Sequence, residues 1–572
     1  MKFAKYKSVI EYFLSNYKWT GFFIVMFLVV SSIFQVSTIG MILPIIEYIQ
    51  ADGNIDYTKS YWPYISTFFN FLSISVSLIS LLVAVFFMGI SYQLFLYAKN
   101  IFLELFRPKC ELDLQHKIIA TLFFAPFRNI SQYSSSDLIT KTLRLSNELS
   151  HGYYRFFYIL SLLIQAVVYV TFMCFISFKL TMIMAVAFST MMGLSSLKLK
   201  RMKRLGKILS KSYLNYCRFI EERLRALKYI KVLNIEEQSY MVLKKLLERV
   251  YQLNRVRIYS QNNLDLLTQP TFYVLLLGFI WVSDTYFNLS VASIMVFLLL
   301  GTRLMPLLQG FNQNYSLFLT QIANADSVFN FINQKKELSI KSKVKYDKDI
   351  QSLNIVDMTF NYNETNNLFE SVNGKFQKGK KYAIIGKSGV GKTTLIDIIL
   401  GLIEPTNGHI SINQNDRLID EQALDAFYLP QIPIVIEGTV KDNLSFTSSE
   451  KICEEKMWQA LDYVALKETF QKRDGLDTRI EFDAKNISIG QKQRLALARL
   501  FLYDYKLIVL DEFTSAVDQE SKAIIINAIQ KIENSIMLFI THDNEVAAIA
   551  DQVLIIKNQG LVESDLKINA VS

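Results

Sequence analysis

The sequence predicts a multidomain chain, in which an all-α membrane domain of six helices is followed by an α/β domain. Three observations support this fold class. Hydrophobic residues make up 51% of the 572 residues, and the mean hydropathy is +0.24. Long apolar runs end near Leu308, and a water-soluble pattern begins near Gln351. A glycine-rich loop then lies between an apolar strand and a helix. We therefore place the membrane domain at residues 1–330, a linker at 331–350 and the α/β domain at 351–572.

Six segments are long and apolar enough to cross about 30 Å of hydrocarbon, which takes roughly 20 helical residues. They are Thr20–Ile49, Phe68–Phe95, Phe156–Phe175, Leu180–Leu199, Leu266–Val282 and Leu289–Leu308. Pro44 and Pro306 mark expected kinks or helix ends, and Pro270 interrupts the start of the fifth segment. Met1–Trp19 mixes lysines with aromatic residues, which is typical of a helix at the membrane surface.

The net charge of +10 is unevenly distributed. Lysine and arginine are concentrated between Lys198 and Arg257, whereas the segment Ala51–Asn70 contains a single basic residue, Lys59. Nucleic-acid binding does not explain this contrast, but the positive-inside rule does. We therefore expect both chain ends and both long loops in the cytosol, and no nucleic-acid partner. The four cysteines form no CxxC pair, which disfavours a disulfide framework or a zinc site.

The two long connections are predicted to be helical. Phe102–Leu122 and Tyr213–Leu253 carry apolar residues at helical spacing among charges, so helices would continue out of the membrane. The loop tips are expected near Ser131–Asp137 and Leu224–Val232. We favour contact of these tips with a soluble domain over a pair of solvated loops.

Residues 386–393, Gly-Lys-Ser-Gly-Val-Gly-Lys-Thr, match the pattern GxxxxGK[ST]. The apolar strand Ala383–Gly386 precedes this loop and the helix-like segment Leu395–Leu400 follows it, which is the context that the pattern requires. Glycines let backbone N–H groups approach phosphate oxygens, and the helix N-terminus adds positive potential. Lys392 is expected to reach the β- and γ-phosphates. The predicted phosphate-binding residues are Gly386, Lys387, Ser388, Gly389, Gly391, Lys392, Thr393 and Thr394.

A second motif is the apolar strand Leu507–Leu510, which ends in the carboxylates Asp511 and Glu512. Asp511 would hold Mg²⁺ together with the Thr393 hydroxyl, and Glu512 would orient or deprotonate the attacking water. Two exposed loop acids are the alternative. The apolar residues ahead of the pair, in a chain with a phosphate loop, favour the metal-binding and catalytic roles.

These residues resemble the ATPase domain of ABC transporters, a P-loop NTPase fold, across the whole second half of the chain. The resemblance implies that ATP and Mg²⁺ bind and that ATP hydrolysis is coupled to transmembrane transport. Tyr362 in Phe360-Asn-Tyr362 looks like the aromatic residue that stacks on adenine, with an ordinary strand tyrosine as the alternative. Gln431 in Tyr428-Leu-Pro-Gln431 looks like the Q-loop glutamine near Mg²⁺ and the water, and so is a third candidate metal ligand.

Two further segments follow the same family pattern. Ser515-Ala-Val-Asp518 is similar to the D-loop, which crosses to the partner subunit and implies an ATP contact for Asp518. Ile540-Thr-His542 is similar to the switch histidine segment, in which His542 would contact the γ-phosphate. A histidine that merely ends a strand is the alternative. Glu512, His542 and Gln431 are thus the implied catalytic set.

The signature segment Ile487-Ser-Ile-Gly-Gln491 departs from the family pattern LSGGQ at one position. Ser488, Gly490 and Gln491 keep the pattern and are expected to contact ATP, whereas Ile489 replaces the first glycine. Because a β-branched side chain restricts close backbone approach, we expect slower or weaker closure on the nucleotide.

The resemblance places the signature segment of one subunit over the phosphate loop of another. One chain has one ATPase domain, so the working unit is expected to be a dimer. A homodimer with two competent sites is the simpler arrangement, and a heterodimer with a related half-transporter is the alternative.

Arg303 lies inside the sixth apolar segment. An arginine there is costly and usually faces water or an anion, so it is a candidate ligand for a substrate phosphate or pyrophosphate, with snorkelling or internal pairing as the alternative. The segment Arg303-Leu-Met-Pro306 resembles the PglK-type lipid-linked oligosaccharide flippases, as do Ile39–Pro44 and Ala226–Leu233. In that family a short external helix follows the first span, and Tyr61–Leu72 could form it.

The favoured function is the flipping or export of an amphipathic substrate, with a lipid-linked oligosaccharide as the first candidate. The alternatives are an exporter of peptides, lipid A-like lipids or hydrophobic drugs, and an ATP-gated channel or regulator. The intact Glu512 disfavours the channel, since gating needs less hydrolysis. A composition rich in lysine, asparagine and isoleucine points to a bacterium. We therefore expect a multi-pass protein of the inner (cytoplasmic) membrane, in contact with membrane lipid, with its ATPase domain in the cytosol.

Overall fold

The computed structural model divides into two compact units. Unit 1 comprises residues 1–125 and 132–337, and unit 2 comprises residues 126–131 and 338–572. The structure describes residues 11–12, 15–50, 62–287, 291–322, 325–333, 344–345, 349–363, 366–413, 416–417, 422–446 and 452–564. The predicted surface helix Met1–Trp19 and the predicted linker 331–350 lie largely outside the described residues.

Long helices build unit 1, and a short one between two of them belongs to unit 2. The helices are α1 (Lys18–Gly40), α2 (Ile42–Gln50), α3 (Trp62–Phe71), α4 (Leu78–Phe124), α5 (Phe127–Ile130, in unit 2), α6 (Ser135–Ile139), α7 (Ser146–Ile176), α8 (Phe178–Arg225), α9 (Leu227–Val232), α10 (Glu236–Phe287), α11 (Val291–Gln321) and α12 (Ala325–Asn333). A π-helical turn, Thr140–Leu145, joins α6 to α7. Helix α1 packs against α4, α7 against α11, and α8 against α10.

Four stretches of the described chain are long and apolar enough to cross a membrane: Lys18–Ile49, Leu78–Phe124, Ser135–Phe175 and Ile294–Gln321. They overlap the first, second, third and sixth predicted segments. Helices α8 and α10 cover the fourth and fifth predicted segments, but the count of six spans is not confirmed. Helix α10 continues through Pro270, and α11 continues through Pro306.

The predicted start of the second segment, Phe68, is wrong. The chain leaves the helical conformation after α3, where Ser73 has a φ of 57°, and α4 begins only at Leu78. The Ser77 hydroxyl accepts a hydrogen bond from the N–H of Ser80 at 3.2 Å, and the Ser80 hydroxyl accepts one from the N–H of Ser77 at 2.8 Å. This reciprocal cap fixes the start of α4. Helix α3 lies where the external helix Tyr61–Leu72 is predicted.

The long connections are helical, as predicted. Helix α4 extends to Phe124, α8 extends to Arg225, and α10 begins at Glu236. The first connection between long helices spans residues 125–134, which include the short helix α5 and overlap the start of the predicted tip Ser131–Asp137. The short helix α9 lies at the second predicted tip.

Unit 2 contains two main sheets with helices around them. The strands in the described residues are β1 (Val344–Lys345), β2 (Ser352–Asn363), β3 (Asn366–Gln377), β4 (Lys381–Ile385), β5 (Asn407–Ile412), β6 (Asp416–Arg417), β7 (Gln422–Ala423), β8 (Ala426–Leu429), β9 (Gly438–Thr439), β10 (Arg479–Ile480), β11 (Leu507–Asp511), β12 (Ile536–Ile540), β13 (Gln552–Lys557) and β14 (Gly560–Ser564). The helices are α13 (Lys392–Ile399), α14 (Val440–Ser445), α15 (Glu454–Tyr463), α16 (Lys467–Gln471), α17 (Ile489–Ala498), α18 (Gln519–Gln530) and α19 (Asn544–Ala548).

The larger sheet of unit 2 has the strand order β14-β13-β4-β12-β11-β8 and is parallel except for β14. The middle residues of its central strands are apolar, because both faces of the sheet are covered. On β12, Met537 and Phe539 face one hydrophobic cluster, whereas Ile536, Leu538 and Ile540 face the other. The smaller sheet, with the order β3-β2-β5-β6, is antiparallel.

Candidate active site

The carboxyl ends of four neighbouring strands meet at one edge of the larger sheet. Strands β4, β12, β11 and β8 lie side by side and run parallel. The phosphate loop follows β4 and His542 follows β12, while Asp511 ends β11 and Gln431 follows β8. Segments that are far apart in the sequence therefore deliver side chains to the edge where ligands bind in open α/β sheets.

The phosphate loop connects β4 to α13. Gly389 and Gly391 have positive φ angles of 81° and 107°, and Gly391 is the N-cap of α13. A Cβ at position 391 would lie 2.9 Å from the ring of Phe369, so both conformation and space require glycine there. The first N–H groups of α13 lack intrahelical partners and therefore form a site that suits a phosphate.

The Lys392 side chain folds back over the loop. Its Nζ donates to the carbonyl oxygen of Gly386 at 2.7 Å and lies 2.7 Å from Nε2 of His542. An ammonium group can only donate, so Nε2 of His542 accepts in this contact. The lysine and the histidine are thus held together at the point where the loop and β12 meet.

A cleft of about 520 Å³ opens at this edge of the sheet. The predicted site residues that line it are Tyr362, Ser388, Gly389, Gly391, Lys392, Thr393, Thr394, Gln431, Asp511, Glu512 and His542. Gly386 and Lys387, which begin the loop, do not line it. Leu368 and Ile540 also line the cleft, and the sequence motifs assign neither of them a role in the site. Leu368 precedes the buried Phe369 on β3, the strand paired with β2, and no motif marks it.

Asp511 and Glu512 lie next to each other at the end of β11. Burial, reinforced by the negative charge of Glu512, raises the pKa of the Asp511 carboxyl to about 6, while the ammonium of Lys392 opposes this rise. The Glu512 carboxylate accepts a hydrogen bond from Nε2 of Gln431 at 2.6 Å. The loop after β8 therefore orients the carboxylate that follows β11.

The Tyr362 side chain borders the cleft from the smaller sheet and is 59% exposed. Its hydroxyl and that of Thr394 are 2.9 Å apart, and its ring packs edge-to-face against Phe360 at 5.0 Å. These contacts fix the ring at the mouth of the phosphate loop. An exposed, oriented aromatic ring is able to stack on a planar base.

The cleft contains oxygen ligands that fit Mg²⁺. The Thr393 hydroxyl, the Gln431 amide oxygen and the Asp511 carboxylate all belong to its lining. Magnesium prefers hard oxygen ligands and is usually held by one or two carboxylates together with substrate phosphates. Within the described part of the chain, no group of three histidine, cysteine or acidic residues could hold a metal by itself. The cleft thus suits a metal that shares its ligands with a bound nucleotide.

Two family profiles match the chain. The profile "ABC transporter transmembrane region" matches residues 19–308, and the profile "ABC transporter" matches residues 369–515. The chain belongs to the ABC transporter family. Homologous ATP-binding domains imply ATP hydrolysis coupled to transport.

Individual relatives agree with this assignment. The chain is 25% identical over 461 residues to the ATP-dependent permease MDL1 of Candida albicans, covering 76% of this chain and 64% of that protein. It is 29% identical over 217 residues to the lactococcin-A transport/processing ATP-binding protein LcnC of Lactococcus lactis subsp. lactis, covering 37% of this chain and 30% of that protein. The solved structure of a bacterial Atm1-family ABC exporter with ATP bound has the same fold, with a TM-score of 0.77 at 16% identity, over 96% of this chain and 95% of that one.

The signature segment of this ABC transporter lies apart from the cleft. Ser488, Gly490, Gln491 and Asp518 are not among the residues that line it. Ser488 is the N-cap of α17 and accepts a hydrogen bond from the N–H of Gln491 at 3.2 Å. Asp518 caps α18 in the same way through the N–H of Ser521. The predicted ATP contacts of the signature segment and the D-loop are therefore not part of the cleft at this chain's own phosphate loop.

Ile489 and Gly490 differ in their surroundings. Ile489 is the first residue of α17, has a negative φ and is 68% exposed, so the backbone at this position does not need glycine. A Cβ at Gly490 would lie 2.5 Å from the carbonyl oxygen of Ala516. The close approach between α17 and the D-loop thus explains the glycine that this ABC transporter keeps.

Arg303 of the ABC transporter is an exposed residue of α11 in unit 1. The next residue, Leu304, lines a cavity of about 210 Å³ between α7, α8 and α11. Apolar side chains, among them Leu162 and Met184, form most of its wall.

Proposed function

We propose that this ABC transporter is an ATP-driven exporter or flippase that works as a homodimer in a bacterial inner membrane and carries an amphipathic substrate. The observation that supports this most is the arrangement around the cleft, where Lys392, Asp511, Glu512 and His542 meet at one sheet edge. A protein that does not hydrolyse ATP would not need the Glu512 carboxylate to be held in a fixed orientation.

The side chains of the cleft have different roles in ATP hydrolysis. When ATP binds, the Lys392 ammonium leaves its contacts with the Gly386 carbonyl and His542 and donates instead to oxygens of the β- and γ-phosphates. Glu512 accepts a proton from the attacking water or orients it, and Gln431 holds the carboxylate in position. Thr393, Gln431 and Asp511 would hold Mg²⁺, which supplies charge neutralisation at the phosphates when it is bound.

The signature residues act on the nucleotide of a second subunit. Ser488, Gly490 and Gln491 lie outside the cleft of their own chain, as does Asp518. In a dimer they would close over the phosphate loop of the partner. Binding of two ATP molecules then favours the closed state, and hydrolysis releases it, so the two states differ in their affinity for ATP.

A lipid-linked oligosaccharide is the proposed substrate. An anionic headgroup requires a cation such as Arg303, and a lipid tail requires apolar surface such as that of the cavity lined by Leu304. The alternative is a peptide, lipid A-like lipid or hydrophobic drug. The likeness to the lactococcin-A transport/processing protein favours a peptide, although the match covers 37% of this chain. An ATP-gated channel or regulator is a third and less favoured function.

The test is the ATPase activity of the protein in lipid nanodiscs, with and without a polyprenyl-pyrophosphate oligosaccharide, and with Glu512→Gln as the blank. Stimulation by this lipid that Arg303→Ala abolishes would support the flippase. ATPase activity that is unchanged by this lipid but rises with a peptide or drug would instead support the alternative exporter. A wild-type rate equal to that of the blank would contradict ATP-driven transport by a homodimer.

A further inference from the structure

The backbone of Glu512 is strained. Its φ is 47°, in the left-handed region that residues other than glycine, asparagine and aspartate rarely adopt. Such a conformation costs about 1–3 kcal/mol and persists only where the surroundings impose it. Two backbone contacts help to do so: the N–H of Glu512 donates to the carbonyl oxygen of Ile540 at 2.9 Å, and its own carbonyl accepts from the N–H of Ser515 at 3.1 Å.

A third contact comes from a side chain on α17. Gln493 donates from Nε2 to the carbonyl oxygen of Glu512 at 2.9 Å, and its Oε1 accepts the N–H of Ala516 at 3.1 Å. This side chain is 1% exposed. One buried amide therefore joins the signature helix to the strained residue and to the D-loop.

The chemistry of the two partners accounts for a glutamine at this position. A carbonyl oxygen can only accept and a backbone N–H can only donate, so the partners fix the orientation of the amide. A glutamate of the same shape could serve Ala516 but, when ionised, could not donate to Glu512. A methionine of similar size could serve neither. The neighbours Lys492 and Arg494 are used elsewhere, bonding to the carbonyl oxygens of Asp483 and Ala465 respectively.

We infer that Gln493 is a positioning residue for ATP hydrolysis. Its side chain holds the Glu512 backbone in the conformation that directs the Glu512 carboxylate into the cleft. The same side chain links this conformation to the signature helix and the D-loop. This inference rests on the proposed hydrolysis at Glu512. Helix α17, whose N-cap Ser488 would contact the ATP of a partner subunit, is thereby connected to Glu512, the proposed general base for the ATP bound by this chain.

The test compares Gln493→Met and Gln493→Glu with wild type in the full-length protein. Steady-state ATPase is expected to show a kcat about 10- to 100-fold lower in both variants, because misplacing a catalytic group by about 1 Å has that effect. The KM for ATP should stay within about two-fold, since the phosphate loop is untouched. Leu497→Val, a change at a buried residue of the same helix, is the matched control, with kcat and KM expected to remain as in wild type.

Hydrogen exchange of the 511–517 segment in nucleotide-free protein gives a second readout that does not depend on hydrolysis. Gln493→Met should speed exchange at the Ala516 amide, whereas Gln493→Glu, which keeps the acceptor, should not. If Gln493→Met fails to fold, the isosteric glutamate variant still decides the kinetic question.

An unchanged kcat, or a KM that rises as much as kcat falls, would overturn the positioning role. So would an Ala516 amide that exchanges at the wild-type rate in the methionine variant. If wild type itself shows no Glu512-dependent hydrolysis, the proposed function fails, and the exchange experiment still decides whether Gln493 holds this segment.

Discussion

Burial, together with the charge of Glu512, raises the pKa of the Asp511 carboxyl to about 6. Only the ionised form is a good ligand for Mg²⁺, and a pKa of about 6 means that this form is lost as the pH falls through that value. We expect the Mg²⁺ concentration for half-maximal ATPase activity to rise steeply between about pH 7 and about pH 5. A titration of Mg²⁺ at several pH values checks this. The half-maximal concentration staying constant over that range would contradict it.

Gly490 is the residue whose substitution should be least tolerated in the signature segment. A methyl group there would meet the Ala516 carbonyl at 2.5 Å, and both partners are backbone or Cβ atoms that cannot rotate away. Gly490→Ala is therefore expected to lower ATPase activity about 10-fold or more, through displacement of the D-loop. The control is Lys485→Ala, at an exposed side chain just ahead of the signature segment, whose ATPase activity should match that of wild type.

Ile489→Gly tests the departure from the family pattern at this position. The side chain is exposed, so its removal leaves the fold of the domain intact. We expect faster nucleotide-driven closure and a higher ATPase rate, because the branched side chain no longer limits approach to the partner's phosphates. ATPase kinetics identical to those of wild type would show that the isoleucine has no such effect.

Helix caps and buried anchors decide where the elements of this chain begin. Hydropathy correctly locates an apolar segment near Phe68–Phe95, but it cannot detect the Ser77 cap that delays α4 to Leu78. Likewise, the motifs name Asp511, Gln431 and His542, yet the order of β4, β12, β11 and β8 arises from long-range pairing that local pattern does not encode. The pairing explains why the sequence indicates the members of the site but misses Leu368 and Gln493.

The buried side chain of Arg499 holds α14 and the segment before it in place. Arg499 is 6% exposed. Its guanidinium donates hydrogen bonds to the carbonyl oxygens of Ile434 and Asn443. Burial lowers the pKa of this guanidinium to about 10. Arg499→Leu would leave these acceptors without their donor, at a cost of about 1–3 kcal/mol for each. We expect a lower thermal unfolding temperature in Arg499→Leu. The exposed Arg473→Leu is the control and should unfold at the wild-type temperature.

The whole molecule has one phosphate loop and one signature segment, and the signature residues do not line the cleft at the phosphate loop. If the signature completes the site of a partner, a mixed dimer of Lys392→Ala and Ser488→Arg chains retains one intact site. Each variant alone should be inactive. Together they should recover up to about a quarter of wild-type activity, since about half of the dimers are mixed and each keeps one of its two sites.

Co-expression with two different affinity tags allows the mixed dimers to be isolated and assayed. Absence of any recovery in isolated mixed dimers would contradict a signature that acts across the subunit boundary. Full activity of either variant alone would contradict the role of the mutated residue.

The strand order of the larger sheet has a consequence for biosynthesis. Strand β4, which leads into the phosphate loop, lies between β12 and β13, whose residues leave the ribosome more than a hundred positions later. Loop closure of that length must precede the pairing of β4 with these two strands, which makes such sheets slow to form. A nascent chain therefore carries its apolar β4 unpaired until translation is almost complete. We expect chaperone capture of stalled chains to be strongest between the emergence of β4 and that of β13.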